Sequence, residues 1–259
     1  KLNGKLPVDR LELFYLVNSW GRNFFIYIKD TNDYKTRIAQ CKIGNCYDLS
    51  RLDTSKITNM DSLFENTSFN NNIGKWDVSN VTSMLYMFSK ALSFNQDLSS
   101  WDTSKITNMS GMFFSAKAFN TPLNSWNTSN VTSMEDMFSN ANSFNQPLDN
   151  WDVSEVTLMD FMFNKAISFN QDISNWNVSS VIDFNKMFSF AKAFNQDISQ
   201  WDVSNAINME EMFSEAKAFN KNISSWIFND NTNINSLFEY ATAFQDRYNN
   251  GNPLPNHTD

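Results

Sequence analysis

The residues of this chain with the most chemical potential are carboxylates, in adjacent pairs and in a column. Glu135-Asp136 and Glu210-Glu211 set two acids side by side, the residue types that glycoside hydrolysis uses as acid, base or nucleophile. Adjacent residues on a helix point in different directions, so these pairs are expected on a solvated face rather than around one substrate bond. A second set, Asp77, Asp102, Asp152 and Asp202, with Asn127 and Asn177 between them, follows tryptophan in successive copies of a repeat. Stacked about 4.8 Å apart, such carboxylates repel, and a row of cations such as Ca²⁺ would relieve the repulsion. The alternative is that each Asp or Asn closes a turn by accepting from the N–H two residues on, in water, where the repulsion is small. Asparagine at two of the places favours the turn.

Other chemistry is sparse. The single histidine, His257, stands in a polar C-terminal segment, so a Ser or Cys nucleophile in the repeats lacks a base. Glycine is scarce and forms no phosphate-binding loop. Cys41 and Cys46 either close a short disulfide loop or stand as two thiols, and without a nearby histidine they make a poor zinc site. Methionines at helical spacing read as core filler. The formal charge of −8 removes the basic surface that nucleic acids need. No apolar run is long enough to span a bilayer. The opening Lys1-Leu2-Asn3-Gly4-Lys5 carries neither a methionine nor the apolar core of a signal peptide, and reads as the start of a processed or excised chain. Neither an enzyme nor a cofactor is expected.

The elements that would hold these side chains follow from a repeat. Trp76, Trp101, Trp126, Trp151, Trp176, Trp201 and Trp226 recur every 25 residues, and a fixed period in this range marks one supersecondary unit stacked on the next. A copy one residue short begins at Leu52, and the last copy decays after Trp226 but still reaches Phe244. Within a unit, Val81, Met84, Met87, Phe88 and Ala91 have the spacing of a short helix that buries one face. Ser79 and its counterparts Ser104, Ser129, Ser154, Ser179 and Ser204 would cap it. The segment Asp97 to Thr103 suits a short strand. The asparagine after phenylalanine (Asn70, Asn95, Asn120, Asn145, Asn170, Asn195, Asn220) is expected to form an internal amide ladder for backbone groups that a buried turn leaves unpaired, and the tryptophans are expected to be buried. The expected fold is an α/β solenoid, leucine-rich-repeat-like, of about eight coils, each one short strand plus one short helix, with a parallel sheet on one side. Residues 1–51 would form an N-terminal cap, with a helix over Leu6–Val17 and a strand at Phe24–Ile28; 52–244 the solenoid; and 245–259 a polar tail or linker.

The strings Asp102-Thr103-Ser104-Lys105-Ile106-Thr107-Asn108-Met109, Ala193-Phe194-Asn195-Gln196-Asp197-Ile198-Ser199 and Trp201-Asp202-Val203-Ser204 resemble the BspA-like bacterial surface repeat. That family is a divergent branch of the leucine-rich-repeat superfamily, abundant in surface lipoproteins of mycoplasmas and other host-associated bacteria. The resemblance covers the whole repeat region. It implies extracellular, cell-surface display and a part in adhesion or host interaction, and it brings no catalytic residue.

Recognition would then lie where the copies disagree. Tyr86, Phe114, Phe161 and Phe190 hold places where other copies mostly carry small or polar residues. They either cluster as an apolar binding patch, or Phe114 and Phe190 tuck into the groove between adjacent helices. The expectation is a monomeric, non-enzymatic surface domain that binds a protein or glycan on a host or neighbouring cell, using these four residues. An antigenically variable coat or spacer without a ligand is one alternative. A cation-dependent carbohydrate-binding module on the aspartate column is another.

Overall fold

The computed structural model describes residues 54–248 in full and, ahead of them, the backbone of three strands. These are β1 (Leu11–Val17), β2 (Asn23–Asp30) and β3 (Thr36–Lys42), an antiparallel sheet in the order β1-β2-β3. The expected strand at Phe24–Ile28 falls within β2. The expected helix does not form over Leu11–Val17: that run is rich in aromatic and branched residues, and its backbone pairs with β2, Leu13 opposite Ile28 and Tyr15 opposite Ile26. Cys41 lies on β3, but its side chain and Cys46 are outside the described residues, as is His257.

From residue 54 onward the chain is a stack of 25-residue coils, and here the expected α/β architecture is overturned. Between residues 54 and 241 there is neither a helix nor a strand of any length. Single parallel pairings link Asn59, Ser83, Asn108, Ser133, Leu158, Asp183, Asn208 and Asn233 in sequence, one residue per coil, which is no sheet. The stretch read as a helix is a ribbon of turns. In the coil of Trp76, the N–H groups of Met87, Ser89 and Ala91 bond back three residues, to Met84, Tyr86 and Phe88. The alternate N–H groups, of Met84, Tyr86, Phe88 and Lys90, point along the stack to the carbonyls of Asn108, Ser110, Met112 and Phe114 in the next coil. A helix would need those donors for its own carbonyls four residues back.

Two residues per ribbon are left-handed, which excludes a helix outright. They are Tyr86 (φ 54°) and Lys90 (φ 56°) in this coil, Phe161 and Lys165 three coils on, Lys186 and Phe190 after that. Each non-glycine residue in that conformation costs about 1 to 2 kcal/mol. The cost is offset by the bond each makes to the next coil and by the core that the ribbon covers. Since no helix begins there, the serines do not cap one: Ser79 and Ser104 instead give their N–H to Asp77 and Asp102, at 3.0 and 3.1 Å.

The segment read as a strand also turns, with Trp101 N–H bonding Leu98. Side chains rather than a ladder hold this side of the stack. Ser125 Oγ donates to the Ser99 carbonyl at 2.7 Å, and the Trp126 indole N–H donates to the Leu98 carbonyl at 3.0 Å. The same indole bond recurs from Trp101 to Trp226.

The core is built of stacked columns of repeated residues. Phe64, Phe88, Phe113, Phe138, Phe163, Phe188, Phe213 and Phe238 stack ring on ring at 5.4 to 5.7 Å. A second column, Phe69 to Phe244, lies 3.8 to 4.2 Å from the first. The seven repeat tryptophans are buried, as their spacing implied, and so are the methionines. Each large side chain contributes about 1.5 to 3 kcal/mol of burial. The asparagine ladder forms with the side-chain oxygen as acceptor: Asn95, Asn120, Asn145, Asn170, Asn195 and Asn220 each give their backbone N–H to the asparagine one coil earlier, at 2.8 to 3.1 Å. It runs along the half-buried rim, and its first members, Asn70 and Asn95, are exposed.

The last coil ends in a helix where a polar tail was expected from Gln245. This helix, α1 (Thr242–Tyr248), buries Phe244 against Phe238 at 3.8 Å and sets the Tyr248 ring 4.7 Å from Phe244.

Candidate functional site

The surface that changes from coil to coil is the turn ribbon. Its buried side stays apolar, Met84, Met87, Phe88 and Ala91 and their counterparts, with Phe184 in the place of Met84 and Leu63 and Leu237 in that of Met87. Its two left-handed places vary: Ser62, Tyr86, Gly111, Asp136, Phe161, Lys186, Glu211 and Ser236 at one, Asn66, Lys90, Ser115, Asn140, Lys165, Phe190, Glu215 and Tyr240 at the other. Tyr86, Phe161 and Phe190 therefore share these two columns, and Phe114 stands one place before the second.

The four aromatics do not form one patch by ring contact among the described residues; each meets the neighbouring coil. Tyr86 covers Gly111, where a Cβ would come 2.0 Å from its ring. Half-buried, the Tyr86 phenol is raised above its usual pKa, first by desolvation and then by Glu135 and Asp136. Lys90 Nζ sits 5.9 Å from the Phe114 ring, Lys186 5.7 Å from Phe161, and Lys165 5.8 Å from Phe190. Cation–π contacts of this kind are worth about 0.5 to 1 kcal/mol at exposed sites. Phe161, Lys165, Lys186 and Phe190 make a two-by-two array, ring and cation alternating within and between adjacent coils, with Phe190 37% exposed. Tyr240, 57% exposed under Lys217 at 6.0 Å, repeats the pairing in the last coil.

The carboxylates take up structural bonds. Asp77, Asp102, Asp152 and Asp202 each accept the serine N–H two residues on at 3.0 to 3.1 Å, as Asn127 and Asn177 do at 3.0 and 3.2 Å. The turn reading is the geometry seen. The serine hydroxyl and N–H hold Asp102, Asp152 and Asp202 below the ordinary carboxylate range. No group of three metal-ligating side chains occurs among the described residues.

Glu210 accepts Asn233 Nδ2 at 3.1 Å, and Glu211 pairs with Lys186 at 3.4 Å. Glu135 and Asp136 belong instead to an acidic cluster across three coils. Desolvation, then Glu135 and Asp183, raise Asp160 to about 7, while burial raises Asp136 despite a bond to Ser139.

Sequence reasoning missed the lysines, Gly111 and the Asp160 cluster. The signal was available: residues 25 apart are neighbours in a stack, so Phe161 and Lys186, Lys165 and Phe190, and Glu135 and Asp160 could have been paired by register.

Among the described residues no helix is long and apolar enough to cross a membrane. No curated protein and no solved structure matches the chain. One family's sequence profile matches it twice, over residues 32–151 and 136–250, which takes in the whole stack. The chain belongs to the family described as Mycoplasma protein of unknown function, DUF285.

Proposed function

We propose that this protein is a non-enzymatic, cell-surface repeat domain that binds a protein or glycan of a host or neighbouring cell through its turn ribbon. One observation carries the reading: the coils repeat the same two phenylalanine columns in the core, yet the two left-handed columns of the ribbon carry aromatic, basic, acidic and small residues in turn. A fixed scaffold that varies along a ridged face presents specificity with little ordering cost on binding. The array of Phe161, Lys165, Lys186 and Phe190 is the centre of that face, because it joins exposed ring to cation over two coils. The resemblance to BspA-like surface repeats supports display outside the cell, and that resemblance brings no catalytic residue.

The test is a host-cell and glycan-array binding screen with the protein, repeated with Tyr86, Phe114, Phe161 and Phe190 changed to Ser. Serine already stands at Ser62 and Ser236 in the column of Tyr86 and Phe161, so the backbone accepts it there. Binding lost in the variant with its thermal transition retained supports the reading. Binding at wild-type strength removes these residues as the contact, and no binding by the wild type to any target contradicts the function.

A further inference from the structure

Each ribbon ends in a buried alanine, Ala91 in the coil of Trp76. The residue after it faces outward as Leu92, Lys117, Ile167 and Lys192, all exposed, with the half-buried Asn142 in the middle coil. Beside this column runs the second left-handed one, Lys90, Ser115, Asn140, Lys165 and Phe190. Together they hold one quartet twice. Lys90, Leu92 and Lys117 stand with the Phe114 ring, and three coils on Lys165, Ile167 and Lys192 stand with the Phe190 ring. Lys90 lies 5.9 Å from the first ring and Lys165 5.8 Å from the second.

The four lysines of the quartets are exposed, and none pairs with a carboxylate among the described residues. Lys186 and Lys217 differ, being held by Glu211 and Glu215 at 3.4 and 2.7 Å. From Lys90 to Lys192 neither column contains an acid. Ser115, Asn140 and Asn142 separate the quartets, and the carboxylates keep to the opposite flank, Asp136 in the first left-handed column with Glu135 and Asp160 in the place before it. A chain of formal charge −8 thus carries a strip of unneutralised ammonium groups.

The strip offers side chains and no main-chain donor. The N–H groups of Lys90, Ser115, Asn140, Lys165 and Phe190 are all bonded to the next coil, so an extended peptide has no edge to add to. Ammonium groups, exposed apolar side chains and the amides between them suit a chain of sugars with acid groups. Its C–H faces meet Leu92, Ile167 and Phe190, and its carboxylates or sulfates meet the lysines.

We propose that this strip binds an acidic polysaccharide lying along the stack, with acid groups at both quartets. The inference rests on the turn ribbon as the binding face and names its ligand. Over the three coils between the quartets successive core rings are 5.6 to 5.7 Å apart. One chain of several sugars therefore reaches both, and its second contact is intramolecular.

Fluorescence anisotropy with labelled heparin, hyaluronan, dextran and poly-L-glutamate tests this. Binding of heparin or hyaluronan that weakens as salt screens the lysines supports the proposal, and the two probes separate sulfate from carboxylate. Lys90→Gln with Lys117→Gln, or Lys165→Gln with Lys192→Gln, should weaken a heparin dodecasaccharide by about tenfold, to the affinity of a disaccharide too short to span both quartets. All four changes together should abolish binding, with the thermal transition unchanged showing that the variant is folded. The proposal is overturned by a wild type that binds neither acidic polysaccharide, by binding that survives all four changes, or by a dodecasaccharide bound no more tightly than a disaccharide. Equal binding of dextran, or tighter binding of poly-L-glutamate, overturns it too. A wild type that binds host cells but neither acidic polysaccharide overturns this ligand and leaves the function proposed above standing.

Discussion

The contact between Tyr86 and Gly111 gives the sharpest stability prediction. Gly111 is left-handed at φ 58°, and a Cβ there would come 2.0 and 2.1 Å from two atoms of the Tyr86 ring. Gly111→Ala brings the left-handed cost of about 1 to 2 kcal/mol. It also forces the ring away, and overpacking of this kind costs about 1 to 3 kcal/mol. The variant should therefore be less stable by about 2 to 5 kcal/mol in all. Tyr86→Ser removes the obstacle and puts in place the residue that Ser62 and Ser236 already carry at this position. In that background the glycine change should cost only about 1 to 2 kcal/mol, leaving a coupling of about 1 to 3 kcal/mol. Urea titrations of the four proteins, followed by tryptophan fluorescence, measure the cycle. Equal costs in the two backgrounds would refute the packing of Tyr86 over Gly111, and a neutral Gly111→Ala would refute the left-handed assignment as well.

Asp160 makes stability depend on pH. Its carboxyl titrates at about 7 in the folded protein against an ordinary 3.8. Between these values the unfolded chain has already lost the proton that the folded chain keeps, so this group's effect is a fall in stability from about pH 4 to about pH 7, level above it. Asp160→Asn should remove that fall, leaving the Tm near wild type at pH 4 and raising it by about 2 to 4 °C at pH 8, after discounting for a half-exposed group; thermal scans at both pH values check it. Asn145→Ala takes the acceptor from the Asn170 N–H at 2.9 Å and from Gln171 Nε2 at 3.0 Å. A loss of about 1 to 3 kcal/mol is expected in urea titration. Excess Ca²⁺ or EDTA should leave the Tm within about 1 °C, since the aspartates after tryptophan already bond their own turns.

The buried half of the fold was legible in the sequence, because a period of one residue in 25 fixes which side chains stack. Trp, Phe, Met and Asn all stand where that period put them. The local conformation was not legible. Met84, Met87, Phe88 and Ala91 have helical spacing, but a ribbon of three-residue turns buries the same stripe, so periodicity alone does not separate the two. The deciding residues are the left-handed ones. Gly111, Asn66, Asn140 and Asp136 are types that favour that conformation, whereas Tyr86, Lys90, Phe161, Lys165 and Phe190 in the same columns conceal it. In those coils the bonds between coils impose the conformation over local preference. For the variable face, the four aromatics were found as departures from the repeat. The lysines that meet them were overlooked because each lies on a different copy, a coil away in sequence.

The central claim is that each coil turns through two left-handed residues and gives its alternate amides to the next coil. Backbone chemical shifts and through-space contacts by NMR at Phe161 and Lys165 test it most directly. Left-handed shifts at both residues, with the Phe161 amide proton close to Asn185 in the next coil, are predicted from the 2.8 Å bond between them. Helical shifts from Met159 to Ala166, with contacts four residues apart and none to Asn185, would contradict it.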